Sequence, residues 1–558
     1  MKTVKTWLGN DAILIASLVL AKTTEAQVMP VTTCDAAGIG STLLRADGPP
    51  VSILEVSTGT AGTGESATPY CLVKVLVPQA INIWVGLPMG GKWNGRLQSQ
   101  GGGGYSGGLG VPTASILGGM VGVSTDTGHP GDGGGGSFGL LSPGVPNTQL
   151  QIDFAYRSEH LMAVIGKQLT RAFYGRQPEY SYWNGCSTGG RQGLMMAQRY
   201  PDDYDGILAG APAIHWDRFQ AAQIWPQMVM FRDHGGAIPA AKQDLATNAA
   251  IAACDPLDGV KDGVIADPRR CRFDAKRLLC PSGVNDNTCL TLTEAVAINK
   301  IWQGPVLCPP GDSDNICSAP EVRAEQRPGF RLPRQGERLW YGLTPGTPLS
   351  GLAGPTPFFI SVNQPRFWVY LDPTWDWHIL NYDNYRAFFD ETVRTVGPVI
   401  GTDDPDLAPF RERGGKLLIW HGWSDPLIMP EGTVDYYNRV VRKAGGWSYR
   451  RTAQFARLFM APGVFHCGGG PGPAPQNNTL FDALTDWVEH GNAPETIKVS
   501  KPLEGGAMQT RPLCPYPSVA VWTGRGSTDD AANFVCRSFF HPFPRDHERA
   551  RHSPFDSR

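Results

Sequence analysis

At 558 residues the chain is long enough for one large domain carrying a substantial insertion, or for two to three domains of ordinary size. Charged residues make up 18%, the formal net charge is -2 and no long run of like charge occurs, so there is no electrostatic ground for a nucleic acid or an anionic membrane as partner. A small or neutral molecule fits better, and the sixteen Trp, sixteen Tyr and twenty-two Phe are compatible with an aromatic-lined pocket as well as with a large core.

The chain opens as an export signal would. Lys2 and Lys5 precede the apolar run Ala12 to Ala21, and Thr24-Glu25-Ala26 offers a small-residue cleavage site. Residues 1–26 are expected to be a signal peptide and the mature chain to begin near Gln27, secreted or periplasmic. The run is too short to span a bilayer and no later stretch reaches about 18 apolar residues, so membrane insertion is not expected. The twelve cysteines form an even set without a CxxC pair, which favours six disulfides over a zinc site.

Short β-type runs follow at Val51 to Val56, Leu72 to Val77, Ile81 to Leu87 and Met120 to Val123. Leu161, Val164, Ile165, Leu169 and Phe173 recur at helical spacing between Ser158 and Tyr174, with Gly175 as a stop. A strand at Tyr180 to Asn184, a turn and a helix closed by Pro201 come next. Beyond residue 405 the alternation resumes, with strands at Lys416 to Trp420 and Ala456 to Met460 and helices at Thr433 to Lys443 and Leu480 to Val488. This is the pattern of an α/β fold with a mostly parallel sheet. The stretch 215–405 differs: loop-rich, weakly periodic and with six cysteines between 254 and 317, it reads as a lid domain inserted into a catalytic domain made of 27–214 and 406–558.

The most specific signal is Gly185-Cys186-Ser187-Thr188-Gly189, a GxSxG between an aromatic strand and a helix. A nucleophile elbow needs this arrangement, because the sharp turn lifts the serine hydroxyl above the sheet and the helix N-terminus faces developing negative charge. Serine requires a base and a group that orients the base, and in α/β-hydrolases these follow in the order Ser, acid, His. Asp425, in His421-Gly422-Trp423-Ser424-Asp425-Pro426, and His466, in Phe465-His466-Cys467, each follow a strand and fit those places. Asp403, Asp404 and Asp406 suit a surface turn better, and His421 suits support of the acid loop. If the triad forms, it brings Cys186 and Cys467 side by side, and a disulfide between them is the natural inference. The oxyanion donors expected are the N–H of Thr188 and one from the Gln100-Gly101-Gly102-Gly103-Gly104 loop, either Gly103 or Gly104.

Together Cys186-Ser187, Asp425 in HGWSD and His466-Cys467 resemble the tannase and feruloyl esterase family, with further likeness at 92–104 (KWNGRLQSQGGGG), 185–212 and 511–517 (RPLCPYP). The resemblance spans nearly the whole mature chain and implies an α/β-hydrolase fold with a large inserted lid domain. The activity implied is hydrolysis of esters of phenolic or aromatic acids through an acyl-enzyme, with a small-molecule aromatic ester as partner and no organic cofactor. The family also contains mono(2-hydroxyethyl) terephthalate hydrolase, which stands as an alternative; a non-catalytic, calcium-dependent binding module is a second. A lipase is disfavoured by the lack of a long apolar amphipathic helix in the lid.

By the same resemblance, Asp255, Asp258 and Asp262 with the carbonyls of Val260 and Val264 would hold a structural calcium ion in the lid. Three carboxylates at that spacing with intervening glycines suit a hard cation, and equally a solvated Asp-Gly turn. The resemblance further pairs Cys34 with Cys71, Cys254 with Cys271, Cys280 with Cys289, and Cys514 with Cys536, leaving Cys308 and Cys317 to pair by arithmetic. Lid aromatics such as Trp340, Tyr341, Phe358, Phe359, Phe367, Trp368, Trp375 and Trp377 are candidates for an aromatic clamp on the substrate.

Overall fold

The computed structural model describes residues 30–31, 33–46, 50–129, 134–307, 337–476 and 478–538. The expected export segment and the Cys308–Cys317 pair lie outside them.

A nine-stranded sheet organises the chain. Its strands are β1 (Ser52–Ala61), β2 (Thr68–Val77), β3 (Ile81–Pro88), β4 (Arg96–Gln100), β5 (Val121–Thr125), β6 (Tyr180–Cys186), β7 (Gly206–Gly210), β8 (Lys416–Gly422) and β9 (Ala456–Ala461). Their spatial order is β1-β2-β3-β5-β4-β6-β7-β8-β9. The first three pair antiparallel and form one edge, while β5, β4 and β6 to β9 run parallel. Parallel strands are covered on both faces, and Leu97, Val121, Trp183, Ile207 and Ile419 are accordingly buried.

The helix Ser158–Tyr174 lays Leu161, Ile165, Leu169 and Phe173 against the sheet. It ends where Gly175, in the left-handed region at φ 75°, donates its N–H to the Arg171 carbonyl (2.9 Å). Thr188–Arg199 covers β6 and β7, and Thr479–His490 packs on β7 and β8. β4 (RLQSQ), though mostly polar, coincides with the apolar-polar run Arg96 to Ser99 expected to lead into the glycine loop, whereas β7 (GILAG), framed by glycines, carries no β-type run and escapes the sequence reading.

The chain leaves the sheet at Gly210 and rejoins it at Lys416. Weak periodicity there suggests loops, yet the segment contains the helices Trp216–Val229, Ala240–Cys254, Leu292–Gln303 and Tyr385–Ile400. Trp216–Val229 is buried on nearly every side, so it has no polar face to give it an amphipathic signature. These helices share their own core, in which Trp225, Ile298, Tyr385 and Phe388 are buried. Within it Lys242 and Glu294 form a buried ion pair at 2.8 Å, next to the capping box of Thr291 and Glu294. The C-terminal part adds two hairpins, Ile497–Pro502 with Met508–Leu513 and Ser518–Trp522 with Phe534–Ser538, which the sequence reading leaves unassigned.

Removing the cation of that pair strands a buried carboxylate. Lys242→Ala is expected to lower the stability of the inserted segment by about 3–5 kcal/mol, read as an earlier urea midpoint by tryptophan fluorescence.

Candidate active site

Ser187 occupies the turn between β6 and the helix Thr188–Arg199, with φ 63° and ψ -124°. A non-glycine residue in that region is strained, and such strain characterises the elbow that presents a nucleophile. Its backbone is held on both sides. The Ser187 N–H donates to the Gly210 carbonyl (2.9 Å), and the Ser187 carbonyl accepts from Ala213 (3.0 Å) and Arg191 (3.1 Å). The neighbours must be small: a Cβ on Gly185 would lie 2.6 Å from the Gly189 carbonyl carbon, and one on Gly189 would lie 3.0 Å from the Gly101 Cα.

The loop after β4 therefore approaches the elbow backbone to backbone. Gly189 donates its N–H to the Gly102 carbonyl (2.9 Å), and the Thr188 hydroxyl donates to the Gly104 carbonyl (2.6 Å). The N–H groups of Gly101, Gly102 and Gly103 already serve the Asn184 carbonyl, Gln192 Oε1 and the Ser106 carbonyl. Of the two glycines expected as donors, Gly103 is thus engaged, and among the described residues the Gly104 N–H meets no protein acceptor. Gly103, Gly104, Thr188 and Ser187 line one cavity of about 360 Å³.

His466 lines the same cavity. Its Nδ1 lies 2.7 Å from Asp425 Oδ2; a carboxylate only accepts, so Nδ1 carries a proton and donates it. Asp425 is buried and fully satisfied. Oδ2 also accepts from His421 Nε2 (3.0 Å), and Oδ1 accepts from the N–H groups of Leu427 (2.8 Å) and Ile428 (3.0 Å). His421, buried beside it, uses Nδ1 to accept from the Thr433 hydroxyl (2.8 Å), which fixes its own tautomer. Burial alone would push the Asp425 carboxyl up; the charge of His466 and the hydrogen bonds from both imidazoles outweigh it and hold the group well below the ordinary carboxylate range. Asp403 is elsewhere, paired with Arg439 (2.9 Å) and His215 (3.3 Å).

The inserted segment grips the acid loop on either side of Asp425. Thr344 Oγ1 donates to the Trp423 carbonyl (2.5 Å), and Gln223 Nε2 donates to the Leu427 carbonyl (2.7 Å). The elbow and the histidine loop are joined by the Cys186–Cys467 disulfide, which links positions 281 residues apart. Cys34–Cys71, Cys254–Cys271, Cys280–Cys289 and Cys514–Cys536 are also present.

The rest of the cavity wall is mostly apolar, from Ala213, Trp216, Phe219, Phe358, Ile360, Leu427 and Ile428, with the amides of Gln220 and Gln223 as its further polar groups. Of the eight aromatics expected to clamp the substrate, Phe358 is the one found among the described lining residues. Trp368 instead packs near Tyr105 and Phe138, and Trp375 stacks between Tyr370 and Phe388. Trp216 and Phe219 come from a helix whose lack of periodicity hid it in the sequence.

In the Asp255–Val264 loop, Asp255 accepts from the N–H groups of Asp262 (3.2 Å) and Gly263 (3.0 Å), and Asp262 pairs with Arg511 (2.6 Å). Burial and then the charges of Asp262 and Asp255 push the Asp258 carboxyl up to about 6, against its hydrogen bond from Val260. Among the described residues no group of three or more His, Cys, Asp or Glu side chains is arranged to hold a metal. The mutual repulsion at Asp258 suits a cation, while the Arg511 guanidinium neutralises part of the same cluster.

An α/β sheet whose strand-to-helix turn offers a serine to a cavity also lined by a histidine that pairs with a buried aspartate is an arrangement found in α/β-hydrolases. Residues 70–537 match the family described as tannase and feruloyl esterase, and the chain belongs to that family of carboxylic-ester hydrolases. A probable feruloyl esterase of Arthroderma benhamiae is 36% identical over 473 residues, 82% of this chain and 83% of its own. A mono(2-hydroxyethyl) terephthalate hydrolase of Piscinibacter sakaiensis is 31% identical over 507 residues, 81% of this chain and 80% of its own. Among solved structures, feruloyl esterase B from Aspergillus oryzae superposes with a TM-score of 0.72 at 27% identity, over 87% of this chain and 97% of its own.

Two outcomes follow from this geometry. A carboxyl whose folded pKa is depressed stabilises the fold above its unfolded pKa of about 3.9 and loses that contribution as pH falls through the lower folded value. The stability gap between wild type and Asp425→Asn is therefore expected to be full near neutrality and to shrink below about pH 4 in denaturation series. Replacing Cys186 and Cys467 together by alanine should lower the unfolding free energy by up to about 5 kcal/mol, measured by denaturation.

Proposed function

We propose that the protein hydrolyses esters of phenolic aromatic acids through an acyl-enzyme on Ser187, with His466 as general base and Asp425 as its orienting acid. The observation that carries this reading is the pairing of His466 Nδ1 with the buried Asp425 on the wall of the cavity that Ser187 shares. His466 Nε2 takes the Ser187 proton as Oγ attacks the ester carbonyl. The oxyanion accepts from the N–H groups of Thr188 and Gly104. His466 then protonates the leaving alcohol, and a water activated by the same nitrogen releases the acid.

The mostly apolar wall suits an aromatic acyl group. No Lys or Arg stands among the described residues lining it, so among those residues the free carboxylate of a terephthalate half-ester would meet no cation. That favours a neutral phenolic acid, with the inserted segment acting as the lid. The disulfides and the N-terminal export pattern support a secreted or periplasmic location. The same proposal includes calcium as a structural ion, with Asp255, Asp258 and Asp262 and the carbonyls of Val260 and Val264 as its ligands; it would neutralise the carboxylates of a loop stapled by Cys254–Cys271.

Ser187→Ala is expected to abolish turnover, and Asp425→Asn to lower kcat roughly 10³- to 10⁴-fold. Initial rates on methyl gallate, methyl ferulate and mono(2-hydroxyethyl) terephthalate should place the terephthalate at least about tenfold below the better phenolic ester in kcat/KM; equal or reversed preference defeats the phenolic reading. Chelation with EDTA should lower the thermal midpoint, calcium should restore it, and Asp258→Ala should be insensitive to both.

A further inference from the structure

The loop Gly101–Gly104 has no side chains with which to brace itself, yet it carries an N–H that must meet an oxyanion within about 0.2 Å of its best distance. Two of its carbonyls are tied to the elbow helix through Gly189 and Thr188. A side chain makes a third tie to that helix: Gln192 Oε1, one turn in, accepts from the Gly102 N–H (3.0 Å). Gln192 is buried, and its amide has two unlike ends. Nε2 donates to Glu159 Oε1, so a group that accepts when ionised lies on one side and a backbone donor on the other. Reversing the amide would set N–H against N–H at Gly102, so Glu159 holds Gln192 the right way round.

Glu159 is in turn buried at the start of the helix Ser158–Tyr174, with its Oε2 accepting from Ser158 Oγ (3.0 Å). Burial pushes its carboxyl up to about 7, and the nearby charge of Arg191 opposes that rise. Arg191, next to Gln192 and also buried, donates to the carbonyls of Ala155 (2.7 Å) and Phe154 (3.1 Å), which the π-helical segment Asp153–Arg157 turns away from ordinary helix pairing. Burying Glu159, Arg191 and Gln192 together costs desolvation energy that apolar residues of similar volume would not. The cluster sits beneath the oxyanion loop.

We infer that Gln192, oriented by Glu159, is a positioning residue for the oxyanion donor Gly104; this rests on the reading of Thr188 and Gly104 as the oxyanion hole. A relaxed Gly102 carries Gly104 with it, and a displacement near 1 Å costs on the order of 100-fold in rate.

Gln192→Met preserves volume and removes both hydrogen bonds. With the ester that the wild type turns over fastest, kcat is expected to fall roughly 10- to 100-fold and KM to stay within about twofold. A trifluoromethyl ketone, which forms a tetrahedral adduct on the serine, should bind more weakly by the same factor, while the carboxylic acid product binds as before. Gln192→Glu keeps an acceptor for Gly102 and can share a proton with Glu159, and should retain kcat within about threefold. If Gln192→Met does not fold, Gln192→Asn, a methylene too short to span both partners, is held to the same expectations. Wild-type kcat in the methionine or asparagine variant, equal weakening of ketone and product, or a Gln192→Glu variant as slow as the methionine one overturns the inference. A wild type that turns over none of the esters overturns the esterase reading instead.

Discussion

Holding Ser187 at a positive φ costs of order 1–3 kcal/mol, and most of the site can be understood as what makes that conformation the only one available. The β6 strand fixes the turn from one side and the elbow helix from the other, while Gly210 and Ala213 clasp the serine backbone between them. Space for the turn exists because Gly185 and Gly189 lack a Cβ. The same lack lets the Gly101–Gly104 loop lie directly against the helix start, so the elbow's sterics also set where an oxyanion donor can be. The Cys186–Cys467 bond then fastens the turn to the loop that carries the histidine.

Two buried carboxylates near this turn behave in opposite ways, and the difference is one of partners. Asp425 receives two imidazoles and two backbone N–H groups and stays ionised well below its usual range. Glu159 receives an amide and a hydroxyl, with a guanidinium nearby, and burial prevails. Each outcome suits the role of its residue, since a charge that steers an imidazole must persist, whereas an acceptor that orients an amide needs its lone pair in place.

Much of this site is legible in the sequence because its chemistry is local. Ser187 stands in a GxSxG between a strand and a helix, and Asp425 and His466 each follow a strand that an apolar run announces. The mostly parallel sheet is readable for the same reason, apart from β7, whose glycines hide it. The inserted segment is less so: helices such as Trp216–Val229, buried all round, carry no periodic stripe, and the cavity walls they supply escape notice. Contacts between distant elements leave no local mark at all. Neither the choice of Gly104 over Gly103 nor the bond from Gln192 to Gly102 can be read without knowing that Ser106 and the elbow helix lie alongside.

The inserted segment both lines the cavity and holds the acid loop, through Thr344 at Trp423 and Gln223 at Leu427. The cavity wall and the acid loop consequently share the same fastenings. A chimera that borrows this segment from a relative in order to change the acid accepted would also replace the two donors that flank Asp425. Transplants that carry a threonine and a glutamine to those carbonyls preserve the footing of the aspartate and its histidine, and loop-by-loop exchange within the segment is gentler than exchange of the whole.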